Sequence, residues 1–250
     1  MTDQLSLRLD AELPNLPEGL RPMLPRPLAE PFDSADHLFE PSWGGRRALA
    51  LIGPSVVPGA GDVRFAGEDG SPLGPALPEL AGLATRVDAR SAVLDGELVV
   101  VDPAGRGDPE ELARRLAGRR GRPAAFLAFD LLHLDGRSLL AQPLSRRREL
   151  LRRVLRPGDE VVAVPAILRE GRALHAAVVG QGLAGMMARL RSSPYLPGTR
   201  SRLWRFVPAE PGALVVGSGE PEGGSMPDQE TPGSGPVLAL ISRLPLDLGD

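Results

Sequence analysis

The sequence predicts an α+β domain, and three observations carry that expectation. Apolar runs bounded by Gly, Pro or charge suit strands at 47–52, 62–66, 92–102, 125–136 and 161–165. Stretches with helical character fall between and after them at 78–87, 110–116, 144–155 and 173–182. Distinctive charged and aromatic segments also sit at the ends of these runs, between residues 39 and 208.

A length of 250 residues suffices for one large domain or two small ones with a buried core. The formal charge of −3 argues against a strongly basic nucleic-acid surface, although local arginine clusters remain able to contact phosphates. Cysteine is absent, which excludes disulfides, zinc–thiolate sites and thiol catalysis. His37, His133 and His175 are too scattered to suggest a metal centre. No apolar run approaches a membrane span, and the first residues lack a basic stretch followed by a hydrophobic one, so a cytoplasmic protein without a membrane partner is expected. All 29 Lys+Arg residues are arginine, which, with the abundant Ala, Gly and Pro, reads as the mutational bias of a GC-rich genome.

Residues 1–19 carry charge and Pro without periodicity and are expected to form a flexible arm. The core is expected to span 20–208. Arg21-Pro22-Met23-Leu24-Pro25 and Glu30-Pro31-Phe32-Asp33 lead into it with extended backbone. The 47–52 run suits a buried strand, with 62–66 its hairpin partner across a Pro/Gly turn. Leu77, Leu80 and Leu83 predict a helix over 78–87. Glu110–Leu116 ends in arginine, as a helix macrodipole favours. Leu144–Leu155 is amphipathic, and its arginines read as a solvated face rather than a DNA-binding patch. Gly182 is a plausible stop for the 173–182 helix, and Met186 and Met187 read as core side chains.

The segment Phe39-Glu40-Pro41-Ser42-Trp43-Gly44-Gly45-Arg46-Arg47-Ala48-Leu49 resembles the nucleotidyl-transfer motif of ATP-dependent DNA ligases. In that family a lysine, any residue, aspartate, glycine, any residue and arginine follow a short acidic-Pro lead. Here Ser42 stands at the lysine position and Gly44 at the aspartate position, while Gly45 and Arg47 match. Three further segments resemble the family in order: Asp95-Gly96-Glu97 within 92–102, Phe126-Leu127-Ala128-Phe129-Asp130 within 125–136, and Ser193-Pro194-Tyr195 with Arg200-Ser201-Arg202-Leu203-Trp204. Others depart from it. Where the family places an arginine after the second strand, this chain has Gly67-Glu68-Asp69-Gly70, which reads equally well as a solvated hairpin turn. The fourth motif has Ala184 for its glutamate and Arg189 for its lysine, and the closing motif has Phe206 and Pro208 for its two lysines.

The resemblance implies a nucleotidyltransferase core like that of DNA ligases and mRNA capping enzymes, with two mainly antiparallel sheets and packed helices. Residues 209–250 would then be a truncated OB-fold remnant or flexible tail. ATP and Mg are the cofactors it implies. The nucleotide-binding candidates are Arg47, Glu97, Phe129, Asp130 and Arg189, with Phe129 stacking on adenine unless it is simply strand core, and Glu97 the candidate for metal. No catalytic residue is intact: a seryl-AMP has too little transfer potential, Ser42 has no evident base beside it, and arginine cannot act as the nucleophile. The missing cations also argue against tight Mg·ATP binding. A DNA repair or recombination homologue unable to self-adenylate is therefore expected, a pseudoenzyme binding nucleotide or a protein partner. The alternatives are a ligase sealing only pre-adenylated nicked DNA and a relic without function.

Overall fold

The computed structural model describes residues 13–73 and 77–210. In chain order its strands are β1 (Leu24–Pro27), β2 (His37–Ser42), β3 (Arg46–Ile52), β4 (Val63–Ala66), β5 (Ala92–Val99) and β6 (Ala125–Leu134). They are followed by β7 (Arg137–Ser138), β8 (Val161–Ala163), β9 (Ile167–Leu168), β10 (Gly185–Leu190) and β11 (Arg200–Pro208). Three α-helices interrupt them: α1 (Pro109–Leu116), α2 (Leu144–Val154) and α3 (Gly171–Gly180).

Side-chain alternation decides how these strands are layered. Along β3, Ala48, Ala50 and Ile52 enter one buried cluster, while Leu49 enters another and Leu51 packs against it. A strand buried on both faces must lie inside a sheet that is covered on each side. β3 lies between β4 and β5, all antiparallel, and β5 passes the ladder to β6. β7 joins β6 antiparallel and β8 joins it parallel, completing a six-stranded sheet. The second sheet has the order β1-β11-β10-β2-β9, antiparallel except for the β1–β11 pair. The expected α+β core of two mainly antiparallel sheets is therefore present.

On the outer face of the first sheet, Leu80, Leu83, Leu112 and Leu151 pack against Leu94, Leu98 and Phe126. Each such side chain contributes about 1.5–3 kcal/mol relative to leaving it exposed. Leu174 and Val178 of α3 are buried in the other cluster, with α3 packed on β2 and β10. The α1 start is well specified: Asp108 caps it by accepting from the Glu111 amide at 2.9 Å, Pro109 opens it, and Arg114 and Arg115 close it. After α3 the chain turns through Gly182 at φ +67°, a left-handed conformation that suits the predicted stop.

Two expectations are corrected. The helix predicted over 78–87 is a pair of short 3-10 turns, Pro78–Leu80 and Leu83–Arg86. Leu77, Leu80 and Leu83 are spaced by three, which brings them to one face at three residues per turn, and Gly82 weakens continuation as an α-helix. Nor are the α2 arginines all solvated. Arg147 and Arg148 are buried, while Arg146, Arg152 and Arg153 face solvent.

The described end of the predicted arm lies against the domain, with Leu16 packed on the core. The 67–70 segment forms a tight turn closed by the Gly67 amide on the Ser71 carbonyl at 2.8 Å, with Gly70 at φ +85°. The proposed OB-fold remnant falls almost wholly in 211–250, outside the described residues. Among the described residues no helix is long and apolar enough to cross a membrane.

Candidate functional site

β2 ends at Ser42, and a loop of Trp43, Gly44 and Gly45 carries the chain into β3. Gly44 adopts φ +73°, and a Cβ there would stand 2.8 Å from the Ala184 Cβ. Gly45 backs directly onto the Leu98 carbonyl, so neither glycine has room for a side chain. Trp43 pins the loop from the other side by donating its indole N–H to the Gly105 carbonyl at 3.1 Å.

Glu97 closes the base of this loop. It stands opposite Arg47 in the β3–β5 register, and its Oε1 accepts the Trp43 amide at 3.1 Å. Burial raises its carboxyl pKa, against the lowering effects of the Trp43 amide, Arg47, the Gly45 amide and the Ser42 hydroxyl. The expectation that Ser42 has no base beside it is thus corrected: Glu97 is adjacent. Its Oε1 is nevertheless engaged by the Trp43 amide, which ties this carboxyl to holding the loop.

Between the sheets lies a network of buried charge. Strand periodicity puts Glu40 and Ser42 on one face of β2, with Met187 and Gly185 as their β10 partners and Arg189 two residues further along. Glu40 is completely buried and ion-pairs with Arg189 and, at 2.6 Å, with Arg148. Arg148 also donates to the carbonyls of Phe129 at 2.8 Å and Val164 at 2.6 Å. Burial lowers Arg189 to about 9 and Arg148 to about 10, so both remain cations at neutral pH.

Arg47 forms a fork on Asp95, with both contacts at 2.7 Å, and donates to the Met23 carbonyl at 2.9 Å. Tyr195 donates to the same carboxylate at 2.7 Å and accepts from the Met23 amide at 2.8 Å. Burial works to lower the Arg47 pKa, but Asp95 raises it on balance. A third pair, Arg147 with Asp130 at 2.7 Å, has both side chains fully buried. Burial raises the Asp130 pKa despite Arg147, which also reaches the Ser193 carbonyl at 3.0 Å.

Phe129 sits at the centre. The register jumps from Gly96↔Ala128 to Asp95↔Asp130, leaving Phe129 as the extra residue of a β-bulge, a device that re-aims side chains. The Arg189 guanidinium lies 3.9 Å from its ring centroid and that of Arg47 4.5 Å. Trp204 receives the same two cations at 4.8 and 5.5 Å.

Of the candidates read from the sequence, Arg47, Phe129 and Arg189 therefore meet directly. Glu97 lies at the Ser42 end, and Asp130 joins through Arg147. Phe206 and Pro208 supply no charge; the Phe206 ring instead lies over Gly185, where a Cβ would be 2.7 Å from its Cζ. The residues do not fit a magnesium nucleotide well. The aromatic face holds arginines, every arginine beside it is matched to a carboxylate, and Glu97 is biased towards its neutral form. Among the described residues no cluster of three or more His, Asp or Glu is placed to hold a metal.

Glu40, Asp95, Arg148, Tyr195 and Trp204 escaped the sequence reading as network members. The signals were indirect: Glu40, Asp95, Tyr195 and Trp204 lie within recognisable motifs, and Arg148 lies in a run that looks solvated.

Comparison with known proteins places this geometry among relatives. Residues 32–205 match the family model described as ATP dependent DNA ligase domain. A protein named Probable DNA ligase from Sorangium cellulosum is 35% identical over 161 residues, covering 59% of this chain and 30% of the relative. The multifunctional non-homologous end joining protein LigD of Mycobacterium bovis is 35% identical over 167 residues, covering 66% of this chain and 21% of the relative. The chain thus spans less than a third of the length of either relative. A solved structure of mycobacterial DNA ligase D complexed with ATP and MES aligns with TM-score 0.65 at 30% identity, covering 76% of this chain and 60% of that one.

Proposed function

The chain belongs to the family of ATP-dependent DNA ligase domains, and from that premise we propose that it is a pseudoenzyme of DNA repair that cannot take AMP onto itself. One observation carries the reading: the nucleophile position is Ser42, in a chain without lysine, beside a half-buried carboxyl that is tied to the Trp43 amide. A serine hydroxyl needs an ionised base within reach to attack a phosphate. Burial raises the Glu97 pKa and its Oε1 already accepts the Trp43 amide, so that oxygen is not free to take the Ser42 proton. Even a seryl-AMP would be a phosphodiester of low transfer potential.

The neighbouring substitutions support the same reading. Stabilising a transferring phosphoryl group requires fixed cations or metal, whereas Phe206 and Pro208 are uncharged and Ala184 has no carboxylate. What the chain retains is the scaffold. Its proposed role is to present that scaffold to a protein partner in repair, with a cytoplasmic location as part of the reading.

The test is a nick-sealing assay on pre-adenylated DNA, where no protein nucleophile is needed. The proposal expects no joining above a no-protein control. Joining that is lost on Glu97→Ala would instead establish a ligase confined to the final sealing step.

A further inference from the structure

We infer that the protein fills its own ring-stacking site: the Arg189 guanidinium, anchored by buried Glu40, occupies the face of Phe129 and closes that site to nucleobases. The inference rests on the family reading of the fold and deepens it by saying what became of the space between the sheets.

The argument is geometric. A guanidinium is planar and delocalised, so it stacks on an aromatic ring over about the same thickness as a heterocycle. Arg189 does so at 3.9 Å from Phe129 and 4.8 Å from Trp204. Its position is fixed from behind by Glu40, itself held by Arg148, whose other bonds run to two backbone carbonyls. Arg47 is fixed likewise by Asp95 and Tyr195 while lying 4.5 Å from the same ring. A base seeking that ring would have to displace a cation from a buried carboxylate. That leaves Glu40 charged and underpaired in a dry interior, a state far less favourable than the pair it replaces. The occupant of the ring face is therefore part of the chain, held there by ion pairing with Glu40.

The experiment uses the full 250-residue protein and two probes, ATP with magnesium and neutral adenosine, read by calorimetry and melting temperature. Wild type is expected to give no saturable heat and no melting shift with either probe at millimolar concentration. Arg189→Lys keeps a cation for Glu40 but withdraws the planar cover. It should fold, and should bind adenosine saturably, with binding lost again in Arg189→Lys/Phe129→Leu. Two results would overturn the inference: saturable binding of ATP or adenosine by wild type that Phe129→Leu weakens at least tenfold, or a folded Arg189→Lys protein that binds adenosine no better than wild type. If Arg189→Lys fails to fold, the wild-type and Phe129→Leu titrations still decide, because ring-dependent binding contradicts a filled site and its absence in both supports one. Wild-type binding that depends on Phe129, without covalent AMP, would sink this inference and leave the pseudoenzyme reading standing.

Discussion

Gly44 and Ala184 approach so closely that a Cβ on Gly44 would lie 2.8 Å from the Ala184 Cβ. The sequence resemblance sets these two residues at positions of an aspartate and a glutamate in the ligase motifs. By that resemblance neither carboxylate is present here, and Gly44 has no room for a side chain.

Restoring the first of them should therefore be costly. Gly44→Asp adds a clash to a left-handed backbone position, and about 1–3 kcal/mol of lost stability is expected. Urea unfolding of the single variant and of Gly44→Asp/Ala184→Gly should show partial recovery in the double variant. Equal losses in both would mean that the backbone conformation alone sets the cost.

The buried triad of Arg148, Glu40 and Arg189 gives a larger effect. Glu40→Gln leaves two buried guanidinium groups without a counter-charge, and a loss of about 3–5 kcal/mol follows from breaking such a pair from one side. Glu149→Gln, which removes an exposed partner of Arg146 and Arg153, should leave stability unchanged within error. Chemical denaturation of both variants checks the contrast.

How much of this was legible beforehand differs between fold and site. Strand β3 is readable because the apolar run up to Ile52 looks buried without any partner, and α1 because its closing arginines suit the end of a helix. The 78–87 segment was misread because leucines spaced by three satisfy both an α-helix and a 3-10 turn, and only packing against Leu94 and Phe126 decides between them. Arg147 and Arg148 were read as solvated for a similar reason: a run of arginines looks the same whether water or a buried carboxylate answers it. The partners, Asp130 and Glu40, lie far away in sequence. The bulge at Phe129, which puts the ring under two guanidinium groups, depends on a register shift that no local pattern announces.

A pH dependence follows from Glu97. Its pKa is raised by burial, so between the unfolded carboxyl pKa, about 4.3, and the higher folded value the native state binds more protons than the unfolded state. Stability contributed by the protonated form is complete below that window and declines as pH rises through it. Glu97→Gln should flatten this part of the stability–pH curve and gain stability relative to wild type towards neutral pH. Unfolding at stepped pH values measures it, and a variant curve parallel to wild type would mean that Glu97 does not titrate in this way.

The outer layer offers a simpler check on the 3-10 segment. Leu83 is fully buried against the first sheet, and Leu83→Ala should cost about 2–5 kcal/mol through the cavity it leaves. Leu168→Ala, at an exposed position, should cost little. Thermal melts of the two variants separate a packed layer from a loosely attached one.

The most direct test of the central claim is incubation of the purified protein with magnesium and ATP labelled at the α-phosphate, followed by denaturing electrophoresis. The account predicts no covalent label on wild type at any neutral or alkaline pH. A labelled band that disappears in Ser42→Ala would contradict it, because Ser42 would then be a working nucleophile in place of lysine.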